Sequence, residues 1–222
     1  MKSIPKNILV FGDSNSWGYD YATYDPQQGI VKRMAYDERW PGRLQTMLGS
    51  NYHVIENCLN GRTNMLPDPY SPNRTGLPSL QVALDANAPL DLVILQLGCN
   101  ELKHMFGLTA GMIAYGVEKL VMEAKNSCYG YPAPRVLVIA PHPVHPGIAK
   151  MMFGFSFGPE AYAKSMEFSK WYGEMASRQG VEFLDCAPLH FELNEQDGLH
   201  YSKGDHQKLA DAAVQKVQSI LG

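Results

Sequence analysis

The sequence predicts an α/β fold built on a parallel sheet, and two observations lead to this prediction. Short runs rich in Val, Ile and Leu recur along the 222 residues and are apolar almost throughout, as strands covered on both faces are. Segments with a helical spacing of apolar residues lie between these runs, so that strand and helix alternate five times. The alternation predicts a five-stranded parallel sheet with helices packed on its faces.

The predicted strands cover residues 8–11, 52–55, 92–97, 136–140 and 181–184. The first two predicted helices cover residues 39–48, with Pro41 in the first turn, and residues 78–86, with Leu80 and Leu84 on one face. Thr109 is expected to cap the third helix, and residues 160–179 are expected to form the fourth. The last helix begins at a weak capping box, Ser202-Lys203-Gly204-Asp205. No internal repeat or low-complexity linker marks a boundary, so one domain over residues 1–222 is predicted.

Composition and charge exclude several classes of partner. The formal net charge of −3 provides no basic field for nucleic acid, and no apolar run approaches the roughly 18–20 residues of a membrane span. The first seven residues lack the apolar region of a signal peptide, so a cytoplasmic protein is expected. Cysteines 58, 99, 128 and 186 lack the spacing of metal ligands and are predicted to be free thiols, although a pair between Cys58 and Cys99 stays open.

Two distant motifs supply the parts of a nucleophilic triad. Gly12-Asp13-Ser14-Asn15-Ser16 follows the first predicted strand directly, and Asp197-Gly198-Leu199-His200 lies near the other end of the chain. A serine hydroxyl needs an adjacent base, and the imidazole in turn needs a carboxylate that fixes its tautomer. Asp197 and His200 are three residues apart, so one short turn can present both. The sequence therefore predicts a serine hydrolase with Ser14, His200 and Asp197 as its catalytic residues.

Donors for a developing oxyanion are expected at the same edge of the sheet. Ligands of open parallel sheets bind beyond the carboxyl ends of the strands, and Gly61 and Asn100 follow the second and third predicted strands. A tetrahedral intermediate is commonly held by backbone N–H groups and an Asn side chain. Ser14 N–H, Gly61 N–H and the Asn100 side chain are therefore the predicted oxyanion hole.

These four blocks resemble those of the SGNH hydrolases, the superfamily of GDSL esterases and lipases. Ser14 matches the nucleophile block, Gly61 the glycine block, Asn100 the Gly-x-Asn block, and Asp197 with His200 the final Asp-x-x-His block. The resemblance implies a flavodoxin-like three-layer α/β/α sandwich, a Ser-His-Asp triad and the same three oxyanion donors.

Further segments resemble the arylesterase and perhydrolase branch of that superfamily. They are Ser16-Trp17-Gly18, Gly61-Arg62-Thr63, Asp91-Leu92-Val93-Ile94 and Leu97-Gly98-Cys99-Asn100-Glu101-Leu102-Lys103. This resemblance implies action on short acyl esters, and it suggests an octamer because some members of the branch form one. A homo-oligomer is itself predicted from the apolar segment 151–157, which a symmetric partner could bury. Asn15 replaces the usual Leu and Glu101 the usual Asp, which leaves the substrate less defined than the reaction class.

Six residues are candidates for contact with the substrate: Trp17, Arg62, His142, Val144, Phe153 and Leu199. For Arg62 a structural salt bridge is the alternative. His142 and His145 stand among three prolines with no carboxylate pair nearby, which favours a rigid pocket wall over a metal site. The apolar segment 151–157 is expected to form a pocket wall and a subunit contact, with a lid or simple core packing as alternatives.

The predicted mechanism is a two-step acyl transfer to water, or to an alcohol or peroxide, without a metal or organic cofactor. The same triad would equally serve a carbohydrate O-deacetylase, a thioesterase or a lysophospholipase. A flavodoxin-like module that binds a small molecule is the alternative outside enzymes, and the absence of a phosphate-binding run of Gly, Ser and Thr after the strands disfavours it.

Overall fold

The computed structural model describes residues 4–126 and 130–222. Its strands are β1 (Lys6–Gly12), β2 (Tyr19–Asp25), β3 (Ile30–Arg33), β4 (Tyr52–Cys58), β5 (Leu92–Gln96), β6 (Arg135–Ala140) and β7 (Glu182–Asp185). Its α-helices are α1 (Ser14–Trp17), α2 (Trp40–Leu48), α3 (Gly76–Asn87), α4 (Ala110–Ala124), α5 (Gly154–Phe157), α6 (Ala161–Met166), α7 (Phe168–Gln179) and α8 (Lys203–Leu221).

Five of the strands form one parallel sheet in the order β4-β1-β5-β6-β7. Counted among themselves, these strands follow the flavodoxin-like order 2-1-3-4-5. Gly12 at the end of β1 pairs with Cys58 of β4 on one side and with Gln96 of β5 on the other. The loops that follow these three strands therefore begin side by side, which brings three of the predicted motifs to one edge of the sheet.

Alternate residues of the central strands face opposite helical layers. Leu9 and Phe11 of β1 belong to an apolar cluster with residues of α3, α4 and α7. Ile8 and Val10 belong to a second cluster with residues of α2 and α8. The sheet is therefore the middle layer and is covered by helices on both faces. This confirms the predicted three-layer α/β/α sandwich.

The elements differ from the predictions in three places. β2 and β3 form an antiparallel hairpin outside the main sheet, where the sequence analysis predicted no strand. The helix predicted over residues 160–179 is divided into α6 and α7, which Glu167 separates. The short helices α1 and α5 were not predicted either, although both lie beside the candidate site.

The helix caps lie where the sequence placed them. The Thr109 hydroxyl accepts a hydrogen bond from Met112 N–H over 3.2 Å at the start of α4. Ser202 and Asp205 form a reciprocal capping box at the start of α8. In each case a side-chain oxygen satisfies a backbone donor that the first turn of a helix leaves without a partner.

Cys58, Cys99 and Cys186 are free thiols, and Cys128 and residues 1–3 lie outside the described part of the chain. No described helix combines the length and the apolar character that crossing a bilayer requires. Within residues 4–126 and 130–222, no cluster of three or more His, Cys, Asp or Glu side chains is arranged to hold a metal ion. One domain over residues 1–222 stays a prediction.

Candidate active site

Ser14 is the first residue of the short helix that follows β1. Asp13 caps this helix, and its Oδ1 accepts a hydrogen bond from Asn15 N–H over 3.0 Å. A Cβ atom at Gly12 would collide with the side chain of Ser16, so the tight passage from strand to helix requires glycine there. The turn holds the Ser14 side chain at the carboxyl edge of the sheet.

Ser14, His200 and Asp197 form a hydrogen-bonded row. The distance from His200 Nε2 to Ser14 Oγ is 2.9 Å, and that from His200 Nδ1 to Asp197 Oδ2 is 2.7 Å. Because an ionised carboxylate can only accept, Nδ1 carries the imidazole proton and Nε2 is left to accept from the hydroxyl. The structure thus brings the three predicted residues into the geometry of a Ser-His-Asp triad.

Asp197 is fixed by its own loop. Its carboxylate is completely buried, and Oδ1 accepts from Leu199 N–H over 2.9 Å and from His200 N–H over 3.0 Å. Burial alone raises the pKa of Asp197, but the bonds from His200 and from these N–H groups hold the pKa below its ordinary value. The carboxylate therefore stays ionised while it orients the imidazole.

The three predicted oxyanion donors line the same cavity as the triad serine. Gly61 adopts a φ of 71°, which favours glycine, and within the described chain its N–H donates to no protein acceptor. Ser14 begins α1, where a helix leaves the backbone N–H without an internal acceptor. One hydrogen of Asn100 Nδ2 is donated to Arg62 C=O over 3.0 Å, and the amide has a second one to offer.

The cavity beside Ser14 has a volume of about 700 Å³ and is lined by both apolar and polar residues. Its apolar lining comes from Met105, Phe153, Phe155, Phe157 and Leu199. Its polar lining comes from Asn60, Asp68, Tyr70, Lys103, His104 and Ser156. Phe153 and Leu199, two of the predicted substrate-contacting residues, therefore lie where a ligand of Ser14 would sit.

Trp17 and Arg62 do not line this cavity, and their contact with the substrate stays a prediction. The Arg33 guanidinium lies over the Trp17 ring at 5.4 Å. Arg62 is buried over the Phe11 ring at 3.9 Å, and it donates to Gly12 C=O and to the backbone and side-chain oxygens of Asn57. Both residues support the strand ends, and a salt bridge, the alternative for Arg62, is not what holds it.

His142 and Val144 are likewise placed outside the cavity lining. The His142 ring stacks on Phe191 at 4.8 Å, with Nε2 accepting from Phe191 N–H and Nδ1 facing Pro143 C=O. Val144 is buried, and its N–H donates to Ser165 Oγ. The loop after β6 therefore contributes packing behind the site, and contacts of His142 and Val144 with substrate stay a prediction.

Two residues that contact the His200 ring or the backbone beside it were not predicted as site residues. Tyr19, the first residue of β2, lies on the His200 imidazole with ring centroids 3.9 Å apart and an angle of 13° between the planes. Asn15 was noted only as a departure from the usual Leu, yet its side chain binds the backbone on both sides of His200. Neither contact leaves a signal in the spacing of the sequence, because each joins segments that meet only in the folded chain.

Two buried carboxyls beside the site are held in the protonated form more strongly than usual. Burial raises the pKa of Asp13 to about 6 and that of Glu101 to about 8. Glu101 Oε1 accepts from Asn64 N–H, while Oε2 is buried without a partner among the described residues. Glu101 thus joins the segment after β5, which bears Asn100, to the segment after β4, which bears Gly61.

A parallel sheet flanked by helices, with a Ser-His-Asp triad at its carboxyl edge, is the arrangement of a serine hydrolase. The chain belongs to the GDSL-like lipase/acylhydrolase family, whose model matches residues 10–208. This membership makes it a carboxylic ester hydrolase, and the alternative of a non-enzymatic binding module is set aside.

Solved structures of two esterases superpose closely on the chain. An aryl esterase from M. smegmatis is 35% identical, with a TM-score of 0.89 over 97% of this chain and 100% of the other. A carbohydrate acetylesterase from Sinorhizobium meliloti is 36% identical, with a TM-score of 0.88 over the same shares. A search of curated proteins by sequence finds no match.

Proposed function

We propose that the protein is a serine esterase that hydrolyses short-chain acyl esters, acetyl and aryl esters among them, through an acyl-enzyme. The observation that carries this proposal is the row from Asp197 through His200 to Ser14, which ends in a cavity that Gly61 and Asn100 also line. The similarity to an aryl esterase over nearly the whole chain supports the same substrate class.

The first step transfers the acyl group to Ser14. His200 Nε2 takes the hydroxyl proton while Oγ attacks the ester carbonyl, and the negative oxygen is held by the N–H groups of Ser14 and Gly61 and by the Asn100 amide. As the carbonyl re-forms, the bond to the leaving alcohol breaks and His200 gives its proton to that alcohol. Asp197 keeps the imidazole oriented and stabilises its cationic form.

The second step repeats this chemistry with a new nucleophile. Water loses its proton to His200 and attacks the acyl-enzyme, and the acid leaves as Ser14 recovers the proton. An alcohol or a peroxide in place of water would give acyl transfer or perhydrolysis. Every proton exchanged in the two steps is held by His200, and no metal or organic cofactor takes part.

The apolar residues of the cavity lining support the preference for short acyl groups. Phe153 meets the His200 ring edge-on at a centroid distance of 5.9 Å, and Phe157 and Leu199 add further apolar surface. Aromatic side chains this close to the reacting atoms narrow the space beside the carbonyl. An acetyl group fits such a space more readily than a long chain.

Carbohydrate O-deacetylation is a second candidate, and the polar residues of the cavity lining favour it. Asn60 Oδ1 is buried without a hydrogen-bond partner among the described residues, and Lys103 binds Asp68 over 2.6 Å. A sugar hydroxyl would satisfy the Asn60 oxygen, and the similar acetylesterase from Sinorhizobium meliloti acts on carbohydrate. Thioesterase and lysophospholipase activities stay open alternatives, which a panel of acetylated sugars, acyl thioesters, lysophospholipids and aryl esters separates.

The proposal also covers the assembly of the protein, its location and its partner. We expect one domain acting in the cytoplasm as a homo-oligomer, which the nine-tenths exposed Phe155 at the mouth of the cavity supports. A small-molecule ester is the expected partner, without nucleic acid or membrane.

Covalent labelling tests the proposal directly. A fluorophosphonate should modify Ser14, and Ser14→Ala should abolish labelling and reduce kcat by roughly 10⁴–10⁶ while the fold stays intact. Ser16→Ala is the matched control, because Ser16 is buried against Gln96 and does not line the cavity. An adduct on Ser16, or full activity in Ser14→Ala, would refute the assignment.

A further inference from the structure

The ring of Tyr19 covers one face of the His200 imidazole. The centroids are 3.9 Å apart and the planes are inclined by only 13°. The edge of the imidazole is engaged by Asp197 and Ser14, so Tyr19 occupies a direction that neither hydrogen bond uses. Tyr19 also lines the cavity.

The hairpin that carries Tyr19 is anchored at its base. Arg33 Nε donates to Trp17 C=O over 2.6 Å, and the Arg33 guanidinium binds Glu56 over 2.6 Å. Glu56 binds Arg39 as well, over 2.7 Å. This cluster ties the end of β3 to β4 and to the residue before α2. Arg33 is also the strand partner of Tyr19, so the cluster restrains the start of β2 where Tyr19 lies.

We propose that Tyr19 is a positioning residue that stabilises the imidazolium form of His200 through the face of its ring. The proposal rests on the triad proposed above. When His200 takes the Ser14 proton it becomes a cation, and with only 4% of its surface exposed it has little water around it. An aromatic face close to a desolvated cation is attractive, because the ring is negative above its plane. Tyr19 exchanges no proton in this role.

Several charged or titratable groups also face His200 and must be held constant in a test. Asp197 binds Nδ1, Asp13 lies close enough for its charge to be felt, and His206 approaches from α8. Burial lowers the pKa of His206 to about 3, so this side chain is neutral. All three groups are left unaltered when only Tyr19 is replaced.

An NMR titration of the resting enzyme tests the proposal without turnover. The Cε1–H signal of His200 is assigned by its loss in His200→Gln and then followed with pH. In Tyr19→Leu, which keeps an apolar cover, the midpoint of the titration should move to lower pH by roughly half a unit to one unit. In Tyr19→Phe, which keeps the aromatic face, it should stay within about 0.2 units of the wild type.

Steady-state kinetics supply the second readout. Tyr19→Leu should lower kcat roughly 3- to 10-fold, the factor that corresponds to half a unit to one unit of pKa, with the acid limb of kcat/KM moved to lower pH. Tyr19→Phe should restore both. Phenylalanines with one and then three ring fluorines at position 19 should lower kcat progressively, since fluorine withdraws charge from the face at nearly constant shape. Tyr24→Leu is the matched control, because Tyr24 is on the same hairpin and stacks on Tyr21 instead.

The outcomes separate this inference from the proposed function. An unmoved midpoint in Tyr19→Leu, or equal rates along the fluorine series, would overturn the role of Tyr19 while leaving the triad intact. If a fluorophosphonate does not label Ser14 in the wild type, the proposed triad is overturned instead, whatever the His200 titration shows.

Discussion

Asn15 and Tyr201 join the serine turn to the histidine loop. Tyr201 N–H donates to Asn15 Oδ1 over 3.1 Å, and Asn15 Nδ2 donates to Leu199 C=O over 3.3 Å. The Asn15 amide is therefore hydrogen-bonded to the backbone of the residues immediately before and after His200. Because Asn15 follows Ser14 directly, the same side chain sets the spacing between nucleophile and base.

Asn15→Leu should weaken catalysis more than substrate binding. Leucine cannot form either hydrogen bond, so the backbone around His200 loses a partner on each side, and kcat should fall roughly tenfold with KM changed less than about twofold. The free energy of unfolding should drop by about 1–3 kcal/mol, since buried backbone groups are left without partners. Steady-state kinetics and urea unfolding measure the two effects.

Asn87→Leu is a control for this prediction. Asn87 Nδ2 donates to one carbonyl within its own helix, far along the chain from the site. Its replacement should leave kcat unchanged. A kcat of Asn15→Leu equal to that of the wild type would show that the loop around His200 is held by other contacts.

The sheet could be predicted from sequence because its strands are buried on both faces. Residues such as Leu9 and Val10 point to opposite apolar layers, so the strand appears in the sequence as an unbroken apolar run. The β2–β3 hairpin is exposed or half-buried along its length, and its polar residues gave no comparable run. The hairpin is held instead by ion pairs of Glu56 with Arg33 and Arg39, which join segments that are separate in the sequence.

The candidate site was predictable only in part, for a similar reason. Ser14, Asp197 and His200 belong to short motifs whose chemistry constrains the residue types, and the fold brings them within hydrogen-bond distance. Arg62 and His142 were chosen because they stand beside such motifs or strand ends. Neighbouring loop residues point in different directions, and these two point into the supporting structure, as their bonds to Asn57 and Phe191 demonstrate.

Asn100→Ala should act on the chemical step. The amide donor strengthens its hydrogen bond as charge develops on the oxyanion, so its removal should lower kcat by roughly 10²–10³ with little change in KM. Asn87→Ala is the matched control, since Asn87 lies at the end of α3 and does not line the cavity. A change confined to KM would mean that Asn100 binds the substrate in its ground state. Asn100→Ala also removes the hydrogen bond from Asn100 to Arg62 C=O, and thermal melting measures the loss of stability that this causes.

Glu101 should make the protein less stable as the pH rises. Burial raises the pKa of Glu101 to about 8 from an ordinary value of 4.5, so between these values the folded state keeps a proton that the unfolded state has lost. Stability from this group is greatest below pH 4.5 and declines as the pH rises towards 8. Glu101→Gln keeps the acceptor for Asn64 N–H and removes the titration.

Urea unfolding at intervals from about pH 5 to pH 9 measures this effect. The stability of Glu101→Gln relative to the wild type should increase with pH. Asp13, with its pKa raised to about 6, is present in both proteins, and its charge adds to the rise in the pKa of Glu101. A difference that does not vary with pH would show that Glu101 is ionised in the folded protein.

The segment from Met151 to Phe157 should determine both assembly and acyl-chain preference. Phe153 lies at His200 and Phe157 is buried, whereas Phe155 is 90% exposed at the mouth of the cavity. An isolated monomer would leave this aromatic ring in water, and a symmetric partner would cover it and narrow the entrance.

Light scattering should therefore show a homo-oligomer, and Phe155→Ser should shift the mass towards the monomer. Met112→Ser, at an exposed methionine on α4, should leave the mass unchanged. Over a series of p-nitrophenyl esters the wild type should prefer acetyl to octanoyl, and Phe155→Ser should reduce that preference because the entrance widens. A monomeric wild type that prefers octanoyl esters would contradict both expectations and indicate that the segment acts as a lid over long acyl chains.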